Sequence, residues 1–177
     1  MFIKNCYKCD IAAKRKNIVN GYGDKLAKLM IIGESPGYHE DKAGLPFVGK
    51  SGKHLNKYFK LFDIQRPRIY ITNAIKCQPI DSPTEIELRN CKPYLLSEIR
   101  EIKPKIIVLL GRYAHRQFYG KYQNISQVRL KWNIINDIYI ITSYHPSYLV
   151  RNEHEPKIAL DDWNMIANKY HEIDPVI

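Results

Sequence analysis

Three stretches of this chain are apolar at almost every position: Ala27-Lys28-Leu29-Met30-Ile31-Ile32, Ile106-Ile107-Val108-Leu109-Leu110 and Tyr139-Ile140-Ile141-Thr142. Near-continuous apolar runs, lacking the alternation of a half-solvated strand, suit parallel strands covered on both faces. Candidate strands are therefore read at residues 29–33, 69–73, 106–110 and 138–142. Helical apolar spacing fills the intervals, at residues 52–62, 84–102, 113–119 and, after the last strand, 158–170. The longest helix opens on Ser82-Pro83-Thr84-Glu85, read as a cap with Pro at the first helical position and the acid reaching back. Leu88, Leu95, Ile99 and Ile102 mark its buried stripe, and Lys103-Pro104 ends it. Alternation of strand and helix predicts an α/β fold, a three-layer α/β/α domain with a four-stranded parallel central sheet. At 177 residues the chain suits a single domain, 1–177, and carries no repeat, low-complexity tract or interdomain linker.

In open parallel sheets, ligands bind outside the carboxyl ends of the strands. Gly33-Glu34, Asn73, Gly111 and Ser143-Tyr144-His145 all follow candidate strands. Residues scattered over the sequence are thus expected to converge on one edge of the sheet.

The segment from Gly33 to Leu55 invites two incompatible readings. Gly44-Leu45-Pro46-Phe47-Val48-Gly49-Lys50-Ser51 formally matches the P-loop of nucleotide triphosphatases. A P-loop must follow its strand directly so that its amides wrap phosphate. Here a polar segment separates the strand ending at Gly33 from Gly44, and Pro46 removes an amide. A magnesium-holding Asp at the end of another apolar strand is also missing. A P-loop NTPase with a nucleotide cofactor is therefore the weak reading. The other reading is a pattern of glycines, carboxylates and one aromatic suited to holding a flat ring against a backbone loop.

Lys plus Arg total 28 against 18 Asp plus Glu, a formal charge of +10. An excess of that size suits a phosphate-binding surface, because each neutralised phosphate releases condensed counterions. No apolar run is long enough to cross a bilayer, so no membrane partner is expected. The start, Met1-Phe2-Ile3-Lys4-Asn5-Cys6, lacks a signal-peptide core and points to an intracellular protein. In a reducing compartment four cysteines argue for metal rather than disulfides. Cys6 and Cys9 form a C-x-x-C pair that Cys77 and Cys91 would complete, tying the N-terminal segment to the core. Ligand type alone suits zinc or a [4Fe–4S] cluster equally.

Read whole, the segment from Gly33 resembles motif 1 of the uracil-DNA glycosylase superfamily, in its iron–sulfur-containing family 4 form. The matching residues are Gly33-Glu34-Ser35-Pro36-Gly37, Glu40-Asp41, Gly44-Leu45-Pro46-Phe47-Val48-Gly49-Lys50-Ser51-Gly52 and Leu55. The likeness continues at Tyr70-Ile71-Thr72-Asn73-Ala74-Ile75-Lys76-Cys77-Gln78-Pro79 and at Leu110-Gly111. His145-Pro146-Ser147-Tyr148-Leu149-Val150-Arg151 resembles motif 2. Nearly the entire chain is covered, in the expected order. The resemblance implies the same fold, a cluster rather than zinc on Cys6, Cys9, Cys77 and Cys91, and DNA containing uracil as the partner. A departure lies in Pro79-Ile80-Asp81-Ser82-Pro83, shorter than in the family and lacking an Asn-Arg pair often found there.

The implied enzyme is a monofunctional uracil-DNA glycosylase that flips uracil from DNA and hydrolyses its N-glycosidic bond, initiating base-excision repair. His145 is the expected donor to O2 of the leaving base. The Asn73 amide can pair with O4 and N3–H of uracil, Phe47 offers the stacking ring, and Gly33 is also expected to bind uracil. Glu34 is expected to support the sugar or its water, with Glu40 second. Lys50, Ser51 and Lys53, at a helix N-terminus, would hold the backbone of the flipped nucleotide. Tyr148, Leu149 and Arg151 are expected on a loop, Leu149 as the wedge entering the emptied stack and Arg151 on phosphate. A monomer is expected. The rivals are a non-catalytic binder of uracil or abasic DNA, a metal-bearing nucleic-acid module of a larger assembly and the P-loop NTPase.

Overall fold

The computed structural model describes residues 2–151 and 156–175. In chain order its elements are β1 (Tyr22–Gly23), β2 (Leu29–Gly33), α1 (Tyr38–Ala43), α2 (Lys50–Leu61), β3 (Tyr70–Asn73), α3 (Glu85–Ile102) and β4 (Ile106–Leu110), then α4 (Arg112–Tyr119), α5 (Ile125–Val128), β5 (Asn133–Ile135), β6 (Ile138–Ser143), α6 (Pro146–Arg151) and α7 (Pro156–Ile173). One sheet runs in the order β1-β3-β2-β4-β6-β5. Its four central strands are mutually parallel, as the apolar runs imply. The expected four-stranded sheet is extended to six by β1 and β5, both antiparallel edge strands.

Alternate residues of the central strands serve opposite faces. Leu29, Ile31, Val108, Leu110 and Ile141 pack with Leu55, Phe59, Leu149, Trp163 and Ile166 of α2, α6 and α7. Met30, Ile32, Ile107, Leu109 and Ile140 pack with Leu95, Ile102 and Ala114 of α3 and α4. Both faces are covered, so the strands tolerate no polar alternation, and the three-layer expectation holds.

The entry to α3 departs from the expected frame by two residues. Thr84, rather than Ser82, is the N-cap, and the acid that reaches back is Glu87, whose carboxylate accepts from the Thr84 N–H at 2.8 Å. The Thr84 hydroxyl in turn accepts from the Glu87 N–H, completing a capping box that leaves Pro83 outside the helix. Beneath the end of β3, the buried Lys76 ammonium donates to Thr72 Oγ1 at 2.6 Å, the Asn73 carbonyl at 2.9 Å and Glu98 Oε2 at 2.6 Å. Glu98 Oε1 also accepts from the Gly21 N–H. This fully bonded pair fixes the backbone from which Asn73 projects; breaking a buried pair by removing one partner typically costs about 3–5 kcal/mol.

Candidate active site

The carboxyl ends of β2, β3 and β6 meet around a cavity of about 270 Å³ bordered by Glu34, Phe47, Asn73 and His145. Parallel register places Gly33 directly beside Asn73, and Leu110 beside Ser143. The convergence expected from the strand ends is therefore realised.

One wall is a slot for a flat ring. A Cβ at Gly33 would lie 2.4 Å from Asn73 Oδ1 and 2.6 Å from the Phe47 ring, so only glycine lets these groups close together. Phe47 holds φ at +53°, a left-handed conformation that costs a non-glycine residue about 1 kcal/mol or more. Its neighbours enforce that conformation: Arg66 Nη2 donates to the carbonyls of Pro46 and Phe47, at 3.0 and 3.2 Å. Asn73 is buried, and its Oδ1 lacks a hydrogen-bond partner among the described residues. A buried acceptor left open forfeits about 1–3 kcal/mol, which an N–H of a bound ring would restore.

His145 closes the opposite side, its ring centroid 5.8 Å from that of Phe47. The Ser147 N–H donates to His145 Nδ1 at 3.1 Å, and the Ser147 hydroxyl lies 2.7 Å from the same atom. Nδ1 is thus an acceptor, and a neutral ring carries its proton on Nε2. Burial, with the Arg151 charge adding to it, pushes the imidazole down to about 4, so it is neutral at physiological pH.

Glu34 accepts from the Tyr113 N–H at 3.1 Å, at the N-terminus of α4. Burial pushes its carboxyl above the ordinary range, against the lowering influence of that N–H and of Arg112 and Arg151. Gly111, at φ +89°, makes this approach possible; a Cβ there would fall 2.4 Å from Glu34 Oε1 and 3.0 Å from His145 Cβ. Glu34 and His145 therefore meet across one glycine.

Glu40 borders the same cavity with its carboxylate committed to the backbone. Oε1 accepts from the Val48 and Gly49 N–H groups at 2.9 and 2.7 Å, and Oε2 from the Gly37 N–H at 3.2 Å. Amides that a P-loop would offer to phosphate are thus occupied by a side chain of the same segment. The N-terminus of α2 carries no side-chain cap, with Lys50 and Lys53 exposed around it and Ser51 on the cavity wall.

The segment after His145 is a short helix, α6, rather than the expected loop. Leu149 does not serve as the exposed wedge: it is 4 % exposed and packs in the core with Trp163 and Leu55. The helical turn rotates Leu149 inward and leaves Tyr148 outward, 40 % exposed and stacked on Tyr144 at 5.1 Å. Arg151 is exposed, and its charge reaches both Glu34 and His145. The sequence reading also passed over Ser147 and Arg66. The first is signalled only by its spacing from His145, the second by nothing local. Asp81 borders the cavity from an exposed position.

Cys6, Cys9, Cys77 and Cys91 line one cavity on the far side of Ile75 and Lys76, and all four are free thiols. Burial pushes the Cys77 thiol up to about 12 and the Cys91 thiol up to about 11, and Cys6 and Cys9 add to both shifts. Tyr94 donates its hydroxyl to Cys6 Sγ at 3.5 Å, and the Arg15 guanidinium holds the Cys6 carbonyl. Among the described residues, no three His, Cys, Asp or Glu side chains close on a single metal ion.

The family model of the uracil DNA glycosylase superfamily matches residues 20–166. A type-4 uracil-DNA glycosylase of Saccharolobus solfataricus is 37 % identical over 175 residues, covering 93 % of this chain and 81 % of that protein. A type-4 uracil-DNA glycosylase of Sulfurisphaera tokodaii is 38 % identical, covering 92 % and 79 %. The Thermotoga maritima type-4 enzyme is 37 % identical, covering 90 % and 86 %. Agreement over this length, on a fold whose strand ends gather the matching motifs, shows that the chain belongs to the uracil-DNA glycosylase superfamily, among the type-4 proteins.

Proposed function

We propose that this chain is a monofunctional uracil-DNA glycosylase of base-excision repair, and the observation that carries the reading is the slot itself. A ring wall at Phe47, an open acceptor at Asn73 Oδ1 and a neutral imidazole protonated on Nε2 surround one cavity with room for a pyrimidine. Uracil seated there stacks on Phe47, gives its N3–H to Asn73 Oδ1 and takes the Asn73 N–H at O4. His145 Nε2–H donates to O2.

The reaction breaks the C1′–N1 bond, whose electron pair leaves with uracil. Water adds its oxygen to C1′, and its proton ends on the departed base. A donor aimed at the oxygen where charge develops lowers the barrier without having to reorganise. A neutral imidazole performs this task by hydrogen bonding, with no proton transferred from an imidazolium. Glu34, raised by burial and held by the Tyr113 N–H, is the group we assign to polarise the water and to offset the sugar's developing positive charge. Glu40 acts through the loop, holding the amides of Val48 and Gly49 so that Phe47 keeps its angle. Lys50, Ser51, Lys53 and Arg151 are the contacts we assign to the phosphate backbone, supported by the +10 formal charge.

Four thiols on one largely apolar cavity suit a [4Fe–4S] cluster, which takes one thiolate per iron, so its ligands need not close on a single point as around one ion. Cys6, Cys9, Cys77 and Cys91 would hold it. When bound it supplies a structural tie between the N-terminal segment and β3 and α3. Among the described residues no helix is long and apolar enough to cross a membrane.

The direct test incubates anaerobically prepared protein with an end-labelled single-uracil oligonucleotide, followed by mild alkali. Strand scission that requires the alkali is the expected result; intact strands from metal-loaded protein would favour a non-catalytic binder. Asn73→Asp removes the N–H offered to O4 and sets a carboxylate there. Its preference for uracil over cytosine should fall at least tenfold, read from competing kcat/KM values. An unaltered preference would remove Asn73 from base readout.

A further inference from the structure

Beyond the wall formed by Glu34, His145 and Ser147 lies a second and larger cavity of about 790 Å³, which the chemistry of the uracil slot does not use. Four tyrosines, Tyr113, Tyr122, Tyr144 and Tyr148, and two arginines, Arg112 and Arg151, stand on its lining among neutral polar side chains. Tyr122 is 49 % and Tyr148 40 % exposed. The rings are braced by one another and by arginines. Tyr113 and Tyr122 meet edge to face at 5.9 Å, and Tyr144 and Tyr148 stack within 13° of parallel. The guanidinium groups of Arg112, Arg116 and Arg129 lie 4.8, 5.6 and 5.6 Å from the rings of Tyr113, Tyr122 and Tyr144. Among the described residues the one carboxylate on the lining is Glu34, at the border shared with the uracil slot.

Aromatic faces beside fixed cations are what an unpaired nucleotide requires: the rings take a base by stacking, and the cations take its phosphate. A paired base inside a duplex shows neither face. We propose that this groove is a second nucleobase site, which receives the unpaired base next to the uracil on the same strand. The site rests on the uracil-DNA reading above, because continuity with the uracil slot defines which nucleotide reaches it. Its occupant is single-stranded DNA. Stacking faces carry no hydrogen-bond code, so the site takes any of the four bases.

Binding tests this without needing turnover. A single strand carrying 2′-fluoroarabino-uracil, whose glycosidic bond resists cleavage, anchors the slot, and the neighbouring base on either side is replaced by a baseless sugar. Wild-type affinity, by fluorescence anisotropy, should fall about tenfold on removal of the neighbour from one of the two sides, the scale of one base–aromatic stack. Tyr122→Ala should weaken the intact strand by a similar factor and leave the strand already lacking that base unchanged. Tyr122→Phe should restore the wild-type pattern. Pairing the neighbour to a complementary strand should abolish its contribution. Wild-type affinity indifferent to both neighbours overturns the site, even if Tyr122→Ala fails to fold, and so does a Tyr122→Ala that weakens all strands alike. Failure of uracil release from natural strands would instead strike the glycosylase assignment and leave the binding result standing.

Discussion

Replacing His145 by alanine should lower kcat for uracil release by roughly 10²–10³-fold, the usual effect of removing one donor from a developing anion. Affinity for uracil-containing DNA should change little, because the donor's hydrogen bond strengthens only as the bond breaks. Equal turnover by the variant would remove the imidazole from the mechanism. The pH profile gives an independent reading. With its imidazole pushed down to about 4, His145 is already neutral at pH 6, so its deprotonation leaves no step in rate between pH 6 and 8. An acid limb should appear instead above the ordinary glutamate range, where burial has raised Glu34. The sign follows from the chemistry: the carboxylate is the active form, so rate climbs as Glu34 ionises. Glu34→Gln should lose that limb along with most of the rate. Stability runs in the same sense for the histidine. A folded-state value below the ordinary one stabilises the protein above about pH 6.5, and that contribution is lost as pH falls toward 4.

The residues that form this site could be gathered from the sequence because each lies at the end of a candidate strand, and all of these but the strand at Asn73 are near-continuous apolar runs. Gly33 and Asn73 are the last residues of β2 and β3, Gly111 follows β4 directly, and His145 follows β6 after one intervening residue. Parallel strands send their carboxyl ends to one edge, so four local readings sum to one place. The edge strands carried no such signal: β1 is two residues long, and all three residues of β5 are exposed. Helix α1 lies inside the glycine-rich motif and has too few apolar positions to show a period. The Leu149 error has the same origin. His-Pro-Ser reads as a turn, yet Pro is well placed in the first turn of a helix, and one helical turn exchanges the roles of Tyr148 and Leu149. Nor could the tautomer of His145 be read, since it depends on the Ser147 amide, which the start of α6 brings back onto the ring. The salt bridge of Lys76 with Glu98 spans 22 residues and joins β3's end to α3, a pairing that neither local pattern contains.

Cys77→Ala should have small consequences in metal-free protein and large ones in metal-loaded protein, and the contrast is what makes it informative. Without metal, the buried Cys77 behaves as a small apolar side chain, its thiol pushed up to about 12 and therefore un-ionised at neutral pH. Alanine in its place removes one sulfur's packing, a change of about 1 kcal/mol. With a cluster bound, the thiolate is required, and the metal must overcome both burial and the repulsion of the neighbouring sulfurs. Loading should accordingly release protons from the thiols, measurable in weakly buffered solution, and should raise the melting temperature as ligation energy joins the folding energy. If ligation adds even about 4 kcal/mol, a chain of this length gains roughly 10 °C. Cys77→Ala should lose that gain together with the visible absorbance of the cluster, and its melting curve should then match metal-free wild type within a few degrees. Full absorbance and an unshifted melting curve in anaerobically loaded Cys77→Ala would reject the four-cysteine assignment. The loss should also extend beyond the cysteine cavity. Cys77 lies four residues after Asn73, and Lys76 between them holds the Asn73 carbonyl. Loosening this segment should therefore raise KM for uracil-containing strands before it lowers kcat, since it displaces the base-reading amide while His145, between β6 and α6, stays in place.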